Sequence, residues 1–226
     1  MDIIDSQVKK LFTGEASLIL GLIFNSISVT LLAKSDQGLS TISLITYVFS
    51  LVCSFLSFGT WSYIIQGSMV VILIIMLRKV KPGYAISFVI AAIYGGLIDF
   101  FNQYVKVLPD TTPLHILYYC VGFCGMAIGT CLLFRCCIPV LPFDTFTRDI
   151  SNHFNIPYKN IRTGFDIFSV VISSVLSLIY IGSIEGIGVG TIINMLFMGM
   201  AVSTVSDILD KNFYFKPVIK WLGSLS

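Results

Sequence analysis

The stretch TWSYIIQGSMVVILIIMLRKVKPGYAISFVIAAIYGGLIDFF, residues 60–101, decides the fold. Two apolar runs, 60–77 and 84–101, flank a basic turn at 78–83. A helix needs roughly 20 apolar residues to span the hydrocarbon core of a bilayer. Neither run alternates between apolar and polar residues, as the strand of a membrane barrel does. The stretch therefore predicts two membrane-spanning helices joined on one side of the membrane.

Composition extends this prediction to the whole chain. Of the 226 residues, 56% are hydrophobic and 12% are charged, whereas about 25% of the residues in a soluble domain are charged. Mean hydropathy is +0.91. We therefore predict an all-α membrane protein with six transmembrane helices in a single transmembrane domain, 1–226. Besides the two runs above, the predicted spans are 16–33, 114–134, 164–181 and 187–205.

The distribution of positive charge predicts the orientation. With six spans, 12 of the 14 Lys and Arg residues fall on one side, and only Lys34 and Lys106 fall on the other. Because positive loops stay in the cytoplasm, we expect both termini on the cytoplasmic side of the cell's inner membrane. The twelve residues are Lys9, Lys10, Arg78, Lys79, Lys81, Arg135, Arg148, Lys159, Arg162, Lys211, Lys216 and Lys220.

Two further stretches, 39–57 and 140–158, are expected not to cross the membrane. The second contains Asp144, Arg148, Asp149 and His153, and each charge at mid-bilayer costs roughly 2.5–3.5 kcal/mol. The first is more apolar, but a span there would move Arg78 and its basic neighbours to the outside. We predict a short helix in each stretch, either re-entrant or interfacial.

The order of these segments suggests an internal repeat. Gly21, Lys34, Ser43, Thr46 and Ser50 align with Gly122, Arg135, Asp144, Thr147 and Ser151 at an offset of 101. Each half then reads as a span, a short helix and two spans. Because three spans is an odd number, the halves would be inverted relative to each other. The predicted repeats cover about 16–104 and 114–207, and 208–226 would be an amphipathic cytoplasmic tail at the headgroup region.

Several short motifs resemble the YczE/YitT group of bacterial membrane proteins. They are Leu56-Ser-Phe-Gly-Thr-Trp61 with Gln66, Gly38-Leu-Ser-Thr-Ile-Ser43, Leu141-Pro-Phe-Asp144, Arg162-x-x-x-Asp166 and Gly186-x-Gly-x-Gly-Thr191. The resemblance covers nearly the whole chain. It implies a multi-pass membrane protein of this plan and gives no substrate.

Five polar residues in or beside the apolar segments are candidates for binding a solute: Asn25, Gln66, Asp144, Asp166 and Asn194. Ionisable groups inside a membrane face a cavity or a partner, because lipid does not solvate them. Asn25, Gln66 and Asn194 would hydrogen-bond the solute, and the two aspartates would set charge preference or carry a proton. The alternatives are hydrogen bonds between helices for the amides and an i,i+4 ion pair with Arg162 for Asp166.

The sequence offers no nucleophile elbow, P-loop or zinc-binding helix, and we predict neither an enzyme nor a cofactor or metal site. Inverted repeats with broken helices are typical of transporters, with the site near the midplane. We therefore expect a small permease or channel-like carrier for a small polar solute. The alternative is a scaffold or assembly factor for a partner protein. The expected partners are the lipid bilayer and the solute, not nucleic acid, with a homo-oligomer or a partner membrane protein left open.

Overall fold

The computed structural model of the protein describes residues 10–136 and 140–216. In these two ranges the chain forms eight helices and two short strands. The elements are β1 (Lys10–Thr13), α1 (Gly14–Ser35), α2 (Thr41–Val52), α3 (Phe58–Leu77), α4 (Pro82–Val105), α5 (Thr112–Arg135), α6 (Pro142–Phe154), α7 (Tyr158–Tyr180), α8 (Val189–Asn212) and β2 (Phe213–Lys216).

The prediction of an all-α membrane protein with six spans is confirmed. The six long helices are all apolar enough and long enough to cross a membrane. Most extend a few residues past the predicted bounds, and a polar side chain caps the start of two of them. The Thr13 hydroxyl accepts a hydrogen bond from the backbone of Ala16 at 3.3 Å at the start of α1. The Ser57 hydroxyl accepts one from Thr60 at 3.1 Å at the start of α3.

The short helix α2 begins inside the protein and does not cross it. Thr41, its first residue, donates a hydrogen bond to Asp166, with 2.5 Å between the oxygens. Asp166 is the ninth residue of α7, so it lies about 12 Å along that helix from its first residue. The chain then returns to the side that it left, since Lys34 in the last turn of α1 and Ser57 just before α3 line one crevice. Helix α2 is therefore re-entrant rather than interfacial.

The short helix α6 has the same relation to the opposite side. Its first turn reaches the interior, where Phe143 is fully buried. Its later residue Asp149 accepts hydrogen bonds from Lys81 at 2.8 Å and Tyr84 at 2.6 Å, at the turn between α3 and α4. Thus α6 also runs from the interior to the surface without crossing.

The core is built around α1 and α5, which pack closely through small residues. A Cβ atom added to Gly21 would lie 2.9 Å from Leu133 and 3.1 Å from the Gly129 carbonyl oxygen. One added to Gly122 would lie 3.0 Å from Leu32 and 3.1 Å from the Ser28 carbonyl oxygen. The two sets of contacts correspond residue by residue. Subtracting the repeat offset of 101 from the positions of Gly122, Leu133 and Gly129 gives those of Gly21, Leu32 and Ser28.

The short helices also pack in an equivalent way. Helix α2 packs on α7 of the second half, and α6 packs on α3 of the first half. Likewise α1 contacts α4, and α5 contacts α8. The largest difference between the halves is that α3 and α4 pack tightly, whereas α7 and α8 hardly touch. This difference leaves an opening between α7 and α8.

The two ends of the described chain lie side by side. Strands β1 and β2 pair in parallel, with Lys10 opposite Phe213 and Thr13 opposite Lys216. Both ends are therefore on the same side of the molecule, as an even number of spans requires. In the predicted amphipathic tail, 208–212 continues α8 and 213–216 forms β2. The remaining part of the tail, 217–226, lies outside the described residues.

Candidate functional site

The first turns of α2 and α6 converge on an internal space lined by both polar and apolar side chains, which we call the central cavity. Its volume is about 90 Å³. Ser40 and Ser43 at the start of α2 line one part of it, and Phe143 and Asp144 at the start of α6 line another. The other lining residues are Asn25, Val29, Ile42, Thr46, Ser62, Gln66, Tyr94, Met126, Thr130, Leu133, Leu141, Arg162 and Met198.

Two carboxamides from long helices complete the polar lining. Asn25, in the middle of α1, donates to the Gly21 carbonyl at 3.2 Å and accepts from Thr130 at 3.4 Å. Gln66 is only 3% exposed, and its amide donates to Ser62 at 3.1 Å. The Gln66 Oε1 atom is buried with no hydrogen-bond partner among the described residues. An unpaired buried acceptor costs about 1–3 kcal/mol, so this oxygen marks a place for a donor.

A second space, the lateral crevice, opens between α7 and α8 where these helices hardly touch. Its volume is about 450 Å³. Asp166 and Asn194 face it, and Thr130, Arg162 and Met198 line both it and the central cavity. The remaining lining residues are Thr41, Phe134, Thr163, Met195, Gly199 and Val202. The two spaces therefore adjoin at the Arg162 side chain.

Asn194 is the most conspicuous polar group of the lateral crevice. It is the sixth residue of α8 and is 5% exposed. Neither its Nδ2 nor its Oδ1 has a hydrogen-bond partner among the described residues. The donor and the acceptor of this buried carboxamide are therefore both without a hydrogen bond in the described structure.

Arg162 connects α6 electrostatically with a carboxylate of α7 that also contacts α2. Its guanidinium lies 3.6 Å from Asp144 of α6 and 3.9 Å from Asp166 of α7. It also lies over the Phe143 ring, 4.8 Å from the centroid. Because Thr41 of α2 donates to Asp166, the chain of contacts runs from α6 through Arg162 to α2. Burial raises the pKa of Asp144, and the positive charges of Arg162 and Arg148 only partly oppose this.

A third space, the outer crevice, lies above the central cavity on the side where α2 ends. Its volume is about 580 Å³. Lys34 and Lys106, the two lysines predicted for the outer side, both line it. Neighbouring residues of α1 face the two spaces, since Thr30 lines the outer crevice and Val29 lines the central cavity. The two spaces therefore lie beside the same turn of α1.

All five candidate residues from the sequence border these spaces. Asn25, Gln66 and Asp144 line the central cavity, and Asp166 and Asn194 line the lateral crevice. Their role in binding a solute stays a prediction.

The sequence prediction missed the serine and threonine side chains of α2 and the bridging position of Arg162. The repeat alignment carried one signal for the serines, because Ser43 is the residue equivalent to Asp144 at the offset of 101. It carried none for the bridge. Arg162 entered only as the partner of Asp166, not of Asp144 as well.

Metal binding finds no support in the part of the chain that the structure describes, because no three His, Cys, Asp or Glu side chains cluster there as possible ligands. The described cysteines, Cys53, Cys120, Cys124, Cys131 and Cys136, are all free thiols. Cys137 lies outside the described residues.

These features define a multi-pass α-helical membrane protein with an internal cavity, lined by polar and apolar side chains, between two short, non-crossing helices. The chain belongs to a family described as "Family of unknown function (DUF6198)", which matches residues 12–207. The family description does not mention the YczE/YitT group, so that resemblance stays a prediction. No curated protein and no solved structure matches the chain.

Proposed function

We propose that this protein is a small permease or channel-like carrier for a small polar solute. The observation that carries the proposal is the convergence of the first turns of α2 and α6, one from each half, on the central cavity. The first N–H groups of a helix have no partner within the helix, and the macrodipole adds partial positive charge there. Two such ends facing one polar cavity resemble the binding sites of transporters with broken helices.

The three spaces together suggest a route across the molecule. A solute would enter the outer crevice, pass α1 and α2 into the central cavity, and leave past Arg162 through the lateral crevice. Thr46 and Tyr47 support the first step, because these consecutive residues of α2 line the central cavity and the outer crevice, respectively. The second step requires Arg162 to move, since its side chain borders both spaces.

The equivalent contacts of the two halves support an inverted repeat, which would form the framework around this route. The packing of Gly21 on α5 corresponds to the packing of Gly122 on α1. In such a frame the halves rock against each other around a fixed site. An experimental structure in which 16–104 and 114–207 fail to overlay after inversion would contradict the repeat.

Flux measured in liposomes tests the proposal. Purified protein would be reconstituted, and entry of small neutral and charged solutes would be followed by light scattering against protein-free liposomes. We expect the wild-type protein to speed the entry of at least one solute. Gln66→Leu should lower that rate about tenfold, the effect of losing one hydrogen bond of somewhat over 1 kcal/mol.

Gln103→Leu is the matched control, because Gln103 is an exposed amide near the end of α4. Its rate should equal that of the wild type. No flux above the protein-free rate for any solute, with folded protein in the liposomes, would overturn the proposal.

The scaffold alternative has one observation in its favour. Helices α7 and α8 are the least covered of the six spans, with 17% and 6% of the residues in their most apolar stretch buried, respectively. A partner membrane protein would cover these faces. Absent flux together with a partner that is lost on deletion of 212–226 would favour this alternative.

A further inference from the structure

The charged groups around the two inner spaces already balance one another. Among the described lining residues, only Arg162, Asp144 and Asp166 carry formal charge. Arg162 lies within 3.6 Å of one carboxylate and 3.9 Å of the other. The remaining single negative charge faces two helix N-termini, each equivalent to roughly half a positive charge. The site as a whole therefore favours neither a cation nor an anion.

Among the described residues that line the central cavity or the lateral crevice, the buried side-chain atoms without a hydrogen-bond partner all belong to carboxamides. They are one acceptor on Gln66 and both a donor and an acceptor on Asn194. The hydroxyls of Ser169 and Ser173 are also buried without a partner, but these residues line neither space. A carboxamide presents an N–H donor beside its oxygen acceptor. A second amide can pair with both groups at once, because it offers an acceptor and a donor side by side. A planar anion would set an oxygen against Asn194 Oδ1, and a planar cation would set an N–H group against Asn194 Nδ2. Both mismatches leave a buried group unpaired.

The narrower space limits the size of the solute. A ligand of drug size occupies a pocket of about 300–1,000 Å³, whereas the central cavity measures about 90 Å³. One water molecule takes up about 30 Å³ of the liquid. A solute of only a few heavy atoms therefore fits without a large rearrangement.

We propose that the solute is a small uncharged amide of the urea type. Its oxygen and N–H groups would pair with the Asn194 carboxamide in the lateral crevice, and one of its N–H groups would donate to Gln66 Oε1 in the central cavity as it moves between the two spaces. This inference rests on the proposed transport function. It adds the charge and the hydrogen-bonding pattern of the solute, which that function leaves open.

Three planar solutes of similar size test the inference: urea, nitrate and guanidinium, with charges of zero, minus one and plus one. Glycerol is added as an uncharged solute that lacks an amide. Rates would be measured in the same proteoliposomes, with potassium and valinomycin present so that membrane potential does not limit ion movement. We expect urea to enter at least about tenfold faster than the other three solutes. Each of the others would leave at least one buried group without a hydrogen bond, and that loss corresponds to about a tenfold difference.

Variants separate recognition from folding. Asn194→Leu should slow urea entry about tenfold through loss of its paired hydrogen bonds. Asn212→Leu, at an exposed amide on the same helix, should leave the rate unchanged. Thermal unfolding of each variant identifies any misfolded sample, and Asn194→Gln, which keeps the carboxamide, should retain more urea flux than Asn194→Leu.

The outcomes distinguish the two proposals. Faster entry of nitrate, guanidinium or glycerol than of urea would overturn the amide inference and leave the transport function standing. Equal urea rates in Asn194→Leu and wild type would also overturn it. No flux of any solute would overturn the transport function itself.

Discussion

At the scale of single residues, Asp166 has two partners from different parts of the fold. Thr41 of α2 donates to one of its oxygens at 2.5 Å, and the Arg162 guanidinium lies 3.9 Å from the other. An i,i+4 pair on an exposed helix surface contributes about 0–1 kcal/mol. The contact with Thr41 and the position beside the lateral crevice give this carboxylate a place in the proposed route.

We predict that Asp166→Asn impairs solute flux much more than stability. The amide keeps an acceptor for Thr41 and loses only the charge that faces Arg162. Flux should fall at least about tenfold, whereas the free energy of unfolding should change by less than about 1 kcal/mol. Both quantities would be measured on one preparation, with exposed Asp207→Asn on α8 as the control. Unchanged flux in Asp166→Asn would remove this residue from the site.

Two aspartates on α6 should respond to pH in opposite directions. Burial would raise the pKa of Asp149, but hydrogen bonds from Lys81 and Tyr84 outweigh burial and lower it. Burial raises the pKa of Asp144 despite Arg162 and Arg148. A lowered pKa gives stability above the usual pKa of the group, which is lost as pH falls through the folded-state value. A raised pKa gives stability at low pH, which is lost as pH rises through the folded-state value.

We therefore predict opposite effects of Asp149→Asn and Asp144→Asn at neutral pH. Asp149→Asn should lower the melting temperature at pH 7 and flatten its decline in acid. Asp144→Asn should raise the melting temperature at pH 7, because it removes a charge that is costly to bury. Thermal unfolding from mildly acidic to neutral pH measures both. Shifts of the same sign for the two variants at pH 7 would contradict this interpretation.

At the scale of elements, the contact between α3 and α4 depends on two glycines. A Cβ atom added to Gly95 would lie 2.5 Å from the carbonyl oxygen of Gly59. One added to Gly96, the next residue, would meet nothing within 4 Å. The backbones approach this closely only because both contact residues lack a side chain.

We predict that Gly95→Ala destabilises the protein by about 1–3 kcal/mol, the usual cost of overpacking. Gly96→Ala should be neutral or stabilise by up to about 1 kcal/mol, because alanine is the better helix former. Thermal or denaturant unfolding in detergent gives both values. Equal stability of the two variants would mean that α3 and α4 do not approach as described.

Much of the element plan could be predicted from the sequence, because length and hydropathy suffice to identify a span. Charge also excluded a crossing at 39–57, since Arg78 and its neighbours would change sides. Charge does not distinguish a re-entrant from an interfacial helix, because both leave every loop in place. That distinction depends on the contact between Thr41 and Asp166, which are 125 residues apart.

The site was predictable only in part, for a related reason. A polar residue within an apolar run signals a cavity or a partner, and this identified Asn25, Gln66 and Asn194. The lateral crevice depends on α7 and α8 failing to pack. An apolar helix face has the same composition whether it meets lipid or another helix, so no sequence pattern predicts the gap.

At the scale of the whole molecule, the topology makes a prediction about labelling. Lys34 and Ser57 line one outer crevice, so the end of α1 and the start of α3 should be accessible from the same side. In a cysteine-free background, Lys34→Cys and Phe55→Cys should react with an impermeant thiol reagent from outside the cell. His153→Cys, at the end of α6, should react only after the membrane is opened. Phe55 suits this test because it is 78% exposed.

Labelling of Lys34→Cys and Phe55→Cys from opposite sides would mean that 39–57 crosses the membrane. Reaction of His153→Cys from outside would contradict the inverted arrangement of the two short helices. The first result would place the basic turn 78–83 outside the cell, and the second would place the end of α6 there. Both placements would go against the rule that positively charged loops stay in the cytoplasm.

The central claim is that solute passes the point where the first turns of the two short helices meet. The most direct measurement is flux through Ser43→Cys in the cysteine-free protein, before and after reaction with a small water-soluble thiol reagent. Ser43 lines the central cavity, whereas Ser183, the control position, is exposed in the turn between α7 and α8 and lies outside the linings of the three spaces. We predict that modification of Ser43→Cys stops flux, that excess solute slows this reaction, and that modification of Ser183→Cys leaves flux intact. Full modification of Ser43→Cys with unchanged flux would contradict the claim.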